Sequence, residues 1–405
     1  MAARSRVRIT GPLAPFAGGF SDELVRVGYT SFSTRLQLQL MAHLSRWLAS
    51  EELDGAALTP VVVEQFLAAR RAAGYSNHRT TQGLAPLLAY LRTAGAVPPL
   101  VPVRASTPVE AVLERYRRYL VVERGLSAGT VRGYVDVVRP FLAGRVSAEG
   151  VDLERLGPAD VSAYVVAACR EPRGRGGSAR LMVTGLRSLL GFLHVDGVVT
   201  ESLTAAVPSV AGWRLAGLPR ALEPGQVRAL LASCDRRSAH GRRDFAILTL
   251  LARLGLRRGE VAGLRLDQID WRSGELVILG KGGRPGRLPL PADVGEAVAG
   301  YLRRGRPSSA EGRCVFVRVK APHRPLTPGG VTNVVIAAGR RAGLGDVTAH
   351  RLRHSAATEL LRAGAPLEEI SQLLRHRRPL TTAIYAKVDR EALRSLAQSW
   401  PGGAA

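Results

Sequence analysis

The stretch TAHRLRHSAATELLRAG, residues 348–364, combines the apolar spacing of a helix with several polar side chains near its start. Thr348 is a candidate N-cap, because its hydroxyl oxygen can accept a hydrogen bond from the first helical turn. His350 and Arg353 are three residues apart and therefore share one face of the predicted helix, and His354 lies one turn from His350. Such a pattern is common by chance, so its meaning depends on the rest of the chain.

The charge balance predicts a polyanionic partner. The 405 residues include 57 Lys and Arg against 33 Asp and Glu, a formal net charge of +24. A surplus of this size destabilises a compact protein by self-repulsion unless a polyanion neutralises it, so nucleic acid is the favoured partner. A biased use of arginine is the alternative, and a membrane surface is a more distant one. Lysine occurs only at 281, 320 and 387, and 57 minus 3 leaves 54 arginines.

The cysteines and the start of the chain indicate a soluble protein of a reducing compartment. Cys169, Cys234 and Cys314 are far apart and form no CxxC or Cys/His cluster, which argues against structural zinc and a disulfide framework. The first 20 residues make a poor signal peptide, and no apolar run reaches the ~18 residues of a transmembrane helix. We therefore expect a cytoplasmic protein without membrane contact, and the nucleic-acid partner favoured by the charge balance would associate it with the nucleoid.

Two proline-rich joints, at 96–108 and 205–225, divide the chain into three blocks. The predicted divisions are a helical module at 1–100, a helical domain at 105–205, a linker at 206–222 and a C-terminal domain at 223–405.

The first two blocks resemble one another. GYTSFSTR at 28, LTPVVVEQFLAARR at 58 and GLAPLLAYLRTAGAV at 83 recur as GLSAGTVR at 125, LGPADVSAYVVAACR at 156 and GLRSLLGFLHVDGVV at 185. The offsets of 97, 98 and 102 residues favour two copies of one helical module. The alternative is two helical arrays that are merely alike. The last helix of each copy is predicted to end at a left-handed glycine, Gly95 or Gly197.

The third block mixes helix and strand. RRDFAILTLLARLGL is typical of a helix, and GELVILGKGGRPGRLPLP (274–291) predicts two short strands around a glycine-rich turn. Arg257 and Glu260 lie where one predicted helix ends and another begins, and helix is expected again beyond residue 325. The chain is therefore predicted to be mostly α-helical, with a small β-hairpin or sheet in the C-terminal domain.

The third block resembles the tyrosine recombinase (phage integrase) family nearly end to end, and the second resembles the SAM-like core-binding domain of that family. The matching text is GLRRGEVAGLRLDQID, GKGGRPGRLPLP, HRLRHSAATELLRAG and ISQLLRHRRPLTTAIYAKVD. The resemblance implies a DNA breaking–rejoining catalytic fold preceded by SAM-like helical core-binding domains. It also identifies a catalytic set: Arg257, Lys281, His350, Arg353, His376 and Tyr385, with Glu260 and His354 as supporting residues and Arg375, Arg377 and Arg378 as candidate phosphate contacts.

The chemistry of these residue types agrees with the implied roles. Two guanidinium groups, Arg257 and Arg353, suit the non-bridging oxygens of a reacting phosphate. Tyr385 would attack phosphorus with His350 as its proton partner, and Lys281 would protonate the departing oxygen. His376 ends a predicted helix, where the dipole favours its protonated form. One departure is Arg375, which stands where the family usually has glycine. No metal ion and no cofactor are expected.

The resemblance implies a site-specific recombinase that acts through a 3′-phosphotyrosine and integrates, excises or transposes a mobile element. Its implied partners are double-stranded DNA and further copies of the chain. These copies would form a tetramer on synapsed sites and exchange a C-terminal helix at 388–400. Two alternatives stay open. One is relaxation of DNA by a type IB topoisomerase, and the other is a DNA-binding protein of the same fold that lacks catalysis.

Overall fold

The computed structural model describes residues 7–99, 107–147, 150–170, 179–209, 221–280 and 285–375. The described residues of 1–99 and 215–405 form one compact unit, and those of 100–214 form a second. Across these ranges the protein is mostly helical with small antiparallel sheets, which confirms the predicted fold class. None of the described helices has the length and apolar character needed to span a membrane.

The first block is an array of four helices around its own apolar core. The helices are α1 (Ala17–Arg26), α2 (Ser31–Ser50), α3 (Pro60–Ala72) and α4 (Thr81–Thr93). Thr30 and Thr59 cap α2 and α3, since each hydroxyl accepts a hydrogen bond from a backbone N–H of the first turn. Phe20, Leu44 and Leu67 are fully buried at the centre.

The second unit repeats this arrangement. Its elements are α5 (Pro108–Val122), α6 (Ala128–Ala143), the short strands β1 (Val146–Ser147) and β2 (Gly150–Val151), α7 (Pro158–Arg170) and α8 (Ala179–Val195). Tyr116 on α5 is fully buried, and its hydroxyl donates to the carbonyl oxygen of Gly185 on α8 at 3.3 Å. This bond ties α5 to α8 across a core that also contains Phe141 and Leu190.

The two helical arrays correspond in order and in spacing. The last three helices of the first array start at 31, 60 and 81, and those of the second start at 128, 158 and 179, so the offsets are 97, 98 and 98. Gly95 has φ +71° and Gly197 has φ +74°, which confirms the predicted left-handed caps. The origin of the two arrays by duplication stays a prediction.

The third block packs helices around α10, with a small sheet at one side. The elements are α9 (Pro224–Ala232), α10 (Ala239–Arg253), α11 (Arg258–Ala262), β3 (Ile269–Asp270), β4 (Glu275–Leu279), β5 (Pro285–Pro289), α12 (Ala292–Arg304), α13 (Pro328–Arg341), α14 (Ala349–Arg362) and α15 (Leu367–Leu374). The sheet has the antiparallel order β3-β4-β5, with Leu276 opposite Ile269 on one side and Leu288 on the other. The predicted hairpin and the helices beyond residue 325 are thereby confirmed.

A buried ion pair lies at the start of α10. The carboxylate of Asp244, 1% exposed, accepts from Nη2 of Arg243 at 2.7 Å and from Nε of Arg243 at 3.1 Å. His240 and Arg341 approach the other carboxylate oxygen at 3.4 and 3.8 Å. Removing one member of such a pair leaves the other charge buried without compensation, which costs about 3–5 kcal/mol.

We therefore expect Asp244→Ala to destabilise the third block by about 3–5 kcal/mol, because Arg243 would stay buried without its carboxylate. Hydrogen exchange of the α10 amides in the full chain measures this loss as a lower opening free energy. The exposed Asp346, which pairs with Arg340, supplies the control, and Asp346→Ala should change stability by no more than about 0.5 kcal/mol. Equal effects of the two substitutions would contradict the assignment.

Candidate active site

Three of the predicted catalytic residues line one cleft of about 370 Å³ in the third block. Arg257 comes from the turn between α10 and α11, and His350 and Arg353 come from the first turns of α14. Thr348 caps α14 as predicted, with its hydroxyl accepting from the N–H of Arg351 at 3.3 Å. The spacing of the sequence and the packing of the block thus bring two guanidinium groups and one imidazole to the same surface.

Arg353 is buried, with only 3% of its surface exposed. Its Nη1 donates to the carbonyl oxygen of Gly255, and its Nη2 donates to the carbonyl oxygen of Leu374. Gly255 has φ +56°, and a Cβ at this position would lie 2.6 Å from a methyl group of Leu374. Glycine is therefore required where the α10–α11 turn passes α15, and Arg353 joins the two segments.

Arg257 is held by a carboxylate on α11, the helix that follows it. Glu260, whose side chain is 6% exposed, accepts from the backbone N–H of Arg257 at 2.7 Å and from its Nη1 at 2.8 Å. Burial raises the pKa of Glu260, but the backbone N–H of Arg257 and the guanidinium groups of Arg375 and Arg257 outweigh burial and hold that pKa below its ordinary value. Glu260 is thus an anion that orients Arg257, whose side chain remains 42% exposed toward solvent.

Arg375 closes the site from the end of α15. Its backbone is left-handed, with φ +53° and ψ +49°, which is the conformation that glycine adopts at least cost. Its guanidinium donates to Glu260 at 2.8 Å, and its carbonyl oxygen accepts from Nη2 of Arg257 at 3.2 Å. Its side chain is 15% exposed, and the phosphate contact predicted for Arg375 stays a prediction.

The two histidines of α14 pack against each other, with ring centroids 4.2 Å apart in an edge-to-face arrangement. Burial, followed by the charges of Arg353 and Arg257, lowers the pKa of His350. Burial, followed by His350 and Arg353, lowers the pKa of His354 to about 4. Both imidazoles are therefore neutral at pH 7, and a neutral imidazole can accept a proton.

Several residues of the predicted site lie outside the described ranges, and their roles stay predictions. They are Lys281, His376, Arg377, Arg378, Tyr385 and the segment 388–400.

Two residues that sequence reasoning missed also line the cleft. Nη1 of Arg258 donates to the hydroxyl of Thr332 on α13 at 3.2 Å, so that α11 and α13 are joined at the rim. The adjacent arginines in GLRRGE were a signal for Arg258. Nothing in the sequence around Thr332 indicates a site.

The left-handed backbone at position 375 can be tested with two substitutions. Arg375→Gly and Arg375→Ala both remove the ion pair with Glu260, but only alanine keeps a Cβ in the left-handed conformation, which costs about 1 kcal/mol. We expect the glycine variant to melt roughly 2–4 °C above the alanine variant by calorimetry. An alanine variant as stable as the glycine variant would contradict the conformation described for this residue.

The packed histidines can be tested by NMR titration of their imidazole protons in the full chain. We expect His354 to titrate at about 4 and His350 below 6.5. The His354→Asn variant assigns the His354 signal. The control is His194→Asn, which replaces an exposed histidine of the second unit and should leave both α14 signals unchanged. Between pH 6.5 and about 4, the unfolded chain binds a proton at His354 that the folded chain excludes. Acidification through this window therefore lowers the free energy of unfolding. Titration of His354 at 6.5 or above would contradict the packing.

Comparisons with known proteins agree with the geometry. The family model described as "Phage integrase family" matches residues 220–392, and "Phage integrase, N-terminal SAM-like domain" matches residues 113–197. The "Putative integrase/recombinase y4rA" of Sinorhizobium fredii (strain NBRC 101917 / NGR234) is 41% identical over 398 residues, which span 97% of this chain and 96% of that protein. The "Tyrosine recombinase XerD" of Listeria monocytogenes (serotype 4b, strain F2365) is 30% identical and covers 70% of this chain and 96% of its own length.

Two solved structures share the fold. The XerH recombinase in its post-cleavage complex with palindromic difH substrate has a TM-score of 0.55 and 17% identity, and the match covers 84% of this chain and 94% of that one. A lambda integrase (75–356) dimer bound to a COC′ core site has a TM-score of 0.51 and 19% identity, over 68% and 94% of the two chains. With a relative of 41% identity along almost its whole length, the chain belongs to the phage integrase family and is an enzyme of the tyrosine recombinase class.

Proposed function

We propose that this enzyme is a site-specific DNA recombinase that cuts and rejoins strands through a 3′-phosphotyrosine on Tyr385. The observation that carries the proposal is the meeting of Arg257, His350 and Arg353 in one cleft. Arg353 is fixed by backbone carbonyl oxygens and Arg257 by Glu260, so both guanidinium groups are oriented before any ligand arrives. Fixed donors stabilise a transition state better than mobile ones, because they need no reorganisation.

The reaction makes one bond to phosphorus and breaks another. The phenolic oxygen of Tyr385 bonds to the scissile phosphorus, the bond to the 5′-oxygen breaks, and a free 5′-hydroxyl leaves. Negative charge on the non-bridging oxygens is met by Arg257 and Arg353, since guanidinium stays charged and donates in a fixed fork. The 5′-hydroxyl of a second strand then attacks the phosphotyrosine and restores a phosphodiester. One phosphate ester replaces another at each step, so ATP is not required.

Two proton transfers accompany each step. Tyrosine has an ordinary pKa of about 10 and must lose its proton to attack. His350, neutral at pH 7 because burial and two arginines lower its pKa, is the group in the cleft that can take part in that transfer. For the departing 5′-oxygen we propose Lys281 as the proton donor, because arginine holds its proton too tightly for this role. His376 is proposed as a further phosphate ligand.

We propose double-stranded DNA as the substrate and other copies of this chain as partners. The net charge of +24 supports DNA, as do the solved complexes of the XerH recombinase with difH substrate and of lambda integrase with a COC′ core site. A recombinase must hold two sites at once, which supports a tetramer. We also propose that the segment 388–400 is exchanged between copies, because its sequence predicts a short amphipathic helix with Leu393, Leu396 and Trp400 on one side. The integrase names of the relatives support a role in moving a genetic element.

Relaxation of supercoiled DNA is the alternative, since the same nucleophile and arginines would serve a type IB topoisomerase. Product analysis separates the two. A plasmid with two target sites yields exchanged products from a recombinase and only relaxed topoisomers from a topoisomerase. The two helical arrays that precede the catalytic block favour the recombinase.

A nicked suicide substrate tests the nucleophile. On a duplex carrying the sequence that flanks the gene, wild-type protein should trap the cleaved strand covalently, because the nicked fragment diffuses away before rejoining. Tyr385→Phe should reduce the adduct to background, since no other oxygen replaces the phenol. Tyr90→Phe, on a partly buried tyrosine of the first block, should retain it. An adduct that survives Tyr385→Phe would contradict the assignment, as would DNA binding without any wild-type adduct.

A further inference from the structure

The first block contains a buried arginine that the catalytic site does not use. Arg70 lies near the end of α3, is 7% exposed and lines a cavity of about 400 Å³. The cavity is bordered by polar side chains of α2 and of the loop after α3, His43, Gln39, Asn77 and His78, together with the ring of Tyr75. Its lining includes no aspartate or glutamate.

The guanidinium of Arg70 is held in place by neutral groups. Its Nη1 lies 3.2 Å from Nδ1 of His43, and its Nη2 donates to the carbonyl oxygen of Asn77 at 3.0 Å. The guanidinium carbon lies 4.1 Å from the ring centroid of Tyr75, in cation–π contact. Nε has no hydrogen-bond partner among the described residues. These contacts orient the cation without cancelling its charge.

A buried cation of this kind is costly without an anion. Charged side chains are rarely buried unless they are paired, and the described residues contain no carboxylate within ion-pair distance of Arg70. The next residue behaves differently, because exposed Arg71 pairs with Glu64 at 2.5 Å. Burial lowers the pKa of Arg70, and burial together with the nearby arginine charge lowers the pKa of both His43 and His78. An anion in the pocket would offset these costs, because its charge favours the protonated form of each group.

The cluster is specific to the first array. The α2–α6 offset of 97 places Pro140 where the first array has His43, and the α3–α7 offset of 98 places Ala168 where it has Arg70. The second array therefore builds the same helices without this arginine. A group that the fold does not need is better explained by a ligand than by packing.

We propose that Arg70, His43 and His78 form a binding site for one phosphodiester of the DNA backbone, so that the first block contacts the duplex. The inference rests on the proposed function, which supplies the DNA. The oriented guanidinium and the two imidazoles would donate to the phosphate oxygens, and the partly exposed Tyr75 would keep the guanidinium in place. Phosphate contacts of this type position a protein on DNA without reading its sequence.

Salt-dependent binding of the full chain to a duplex of about 40 base pairs tests the proposal. Arg70→Gln removes one phosphate contact, so the log–log slope should become less steep by about 0.9, with binding about eightfold weaker at roughly 0.1 M salt. Arg71→Gln, the exposed neighbour on the same helix, should leave the slope unchanged, and Arg70→Lys should keep most of it. A structural role for Arg70 would not alter the slope, so an unchanged slope in a folded Arg70→Gln protein overturns the site.

A second measurement uses only wild-type protein and therefore tests the site even if Arg70→Gln fails to fold. Hydrogen exchange of the amides at 70–80 should slow when duplex DNA is added. Inorganic phosphate at matched ionic strength should slow it less, because only the duplex is also held by contacts elsewhere on the protein. Protection by phosphate but not by DNA would identify a small-anion site and overturn the DNA contact, as would no protection by either. The suicide substrate reports Tyr385 chemistry independently, so failure of the recombinase proposal and failure of this site are distinguishable.

Discussion

The candidate active site depends on the buried guanidinium of Arg353. Its two terminal nitrogens donate to carbonyl oxygens from the α10–α11 turn and from the end of α15, while its own backbone belongs to α14. One side chain therefore fixes three segments that are distant in sequence. Because carbonyl oxygens orient a guanidinium without neutralising it, the same contacts that hold the fold leave positive potential at the cleft. Stability and phosphate affinity are supplied here by one group.

Glu260 orients Arg257, the more exposed of the two arginines in the cleft. Its buried carboxylate accepts hydrogen bonds from the backbone N–H and the guanidinium of Arg257, and from the guanidinium of Arg375. The ion pair with Glu260 offsets part of the cost of a left-handed arginine at 375, where glycine would be conformationally easier. Arg375 thus has a strained backbone, and its ion pair with Glu260 joins α15 to α11. That tie holds the carbonyl of residue 375 against Arg257.

Much of the fold and part of the site could be predicted, for local reasons. Thr348, Gly95 and Gly197 mark helix ends through interactions within a few residues, and the hairpin follows from alternating strands around glycine. His350 and Arg353 share a face because of helical spacing alone. The pairing of Arg375 with Glu260 could not be predicted, since 115 residues separate them and only tertiary packing brings α15 to α11. The burial of Arg353 and Arg70 also depends on tertiary packing. The sequence could not predict it, since arginine is usually exposed.

The central claim is that Arg257 and Arg353 act on the charge of the non-bridging phosphate oxygens, and a neutral phosphate tests it most directly. A suicide duplex carrying a methylphosphonate at the scissile position removes the charge of one such oxygen. If the claim holds, Arg257→Ala and Arg353→Ala proteins will cleave the ordinary phosphodiester far more slowly than wild type and will regain much of the deficit on the methylphosphonate. An equal deficit on both substrates, in variants whose α14 amides remain protected from exchange, would contradict it.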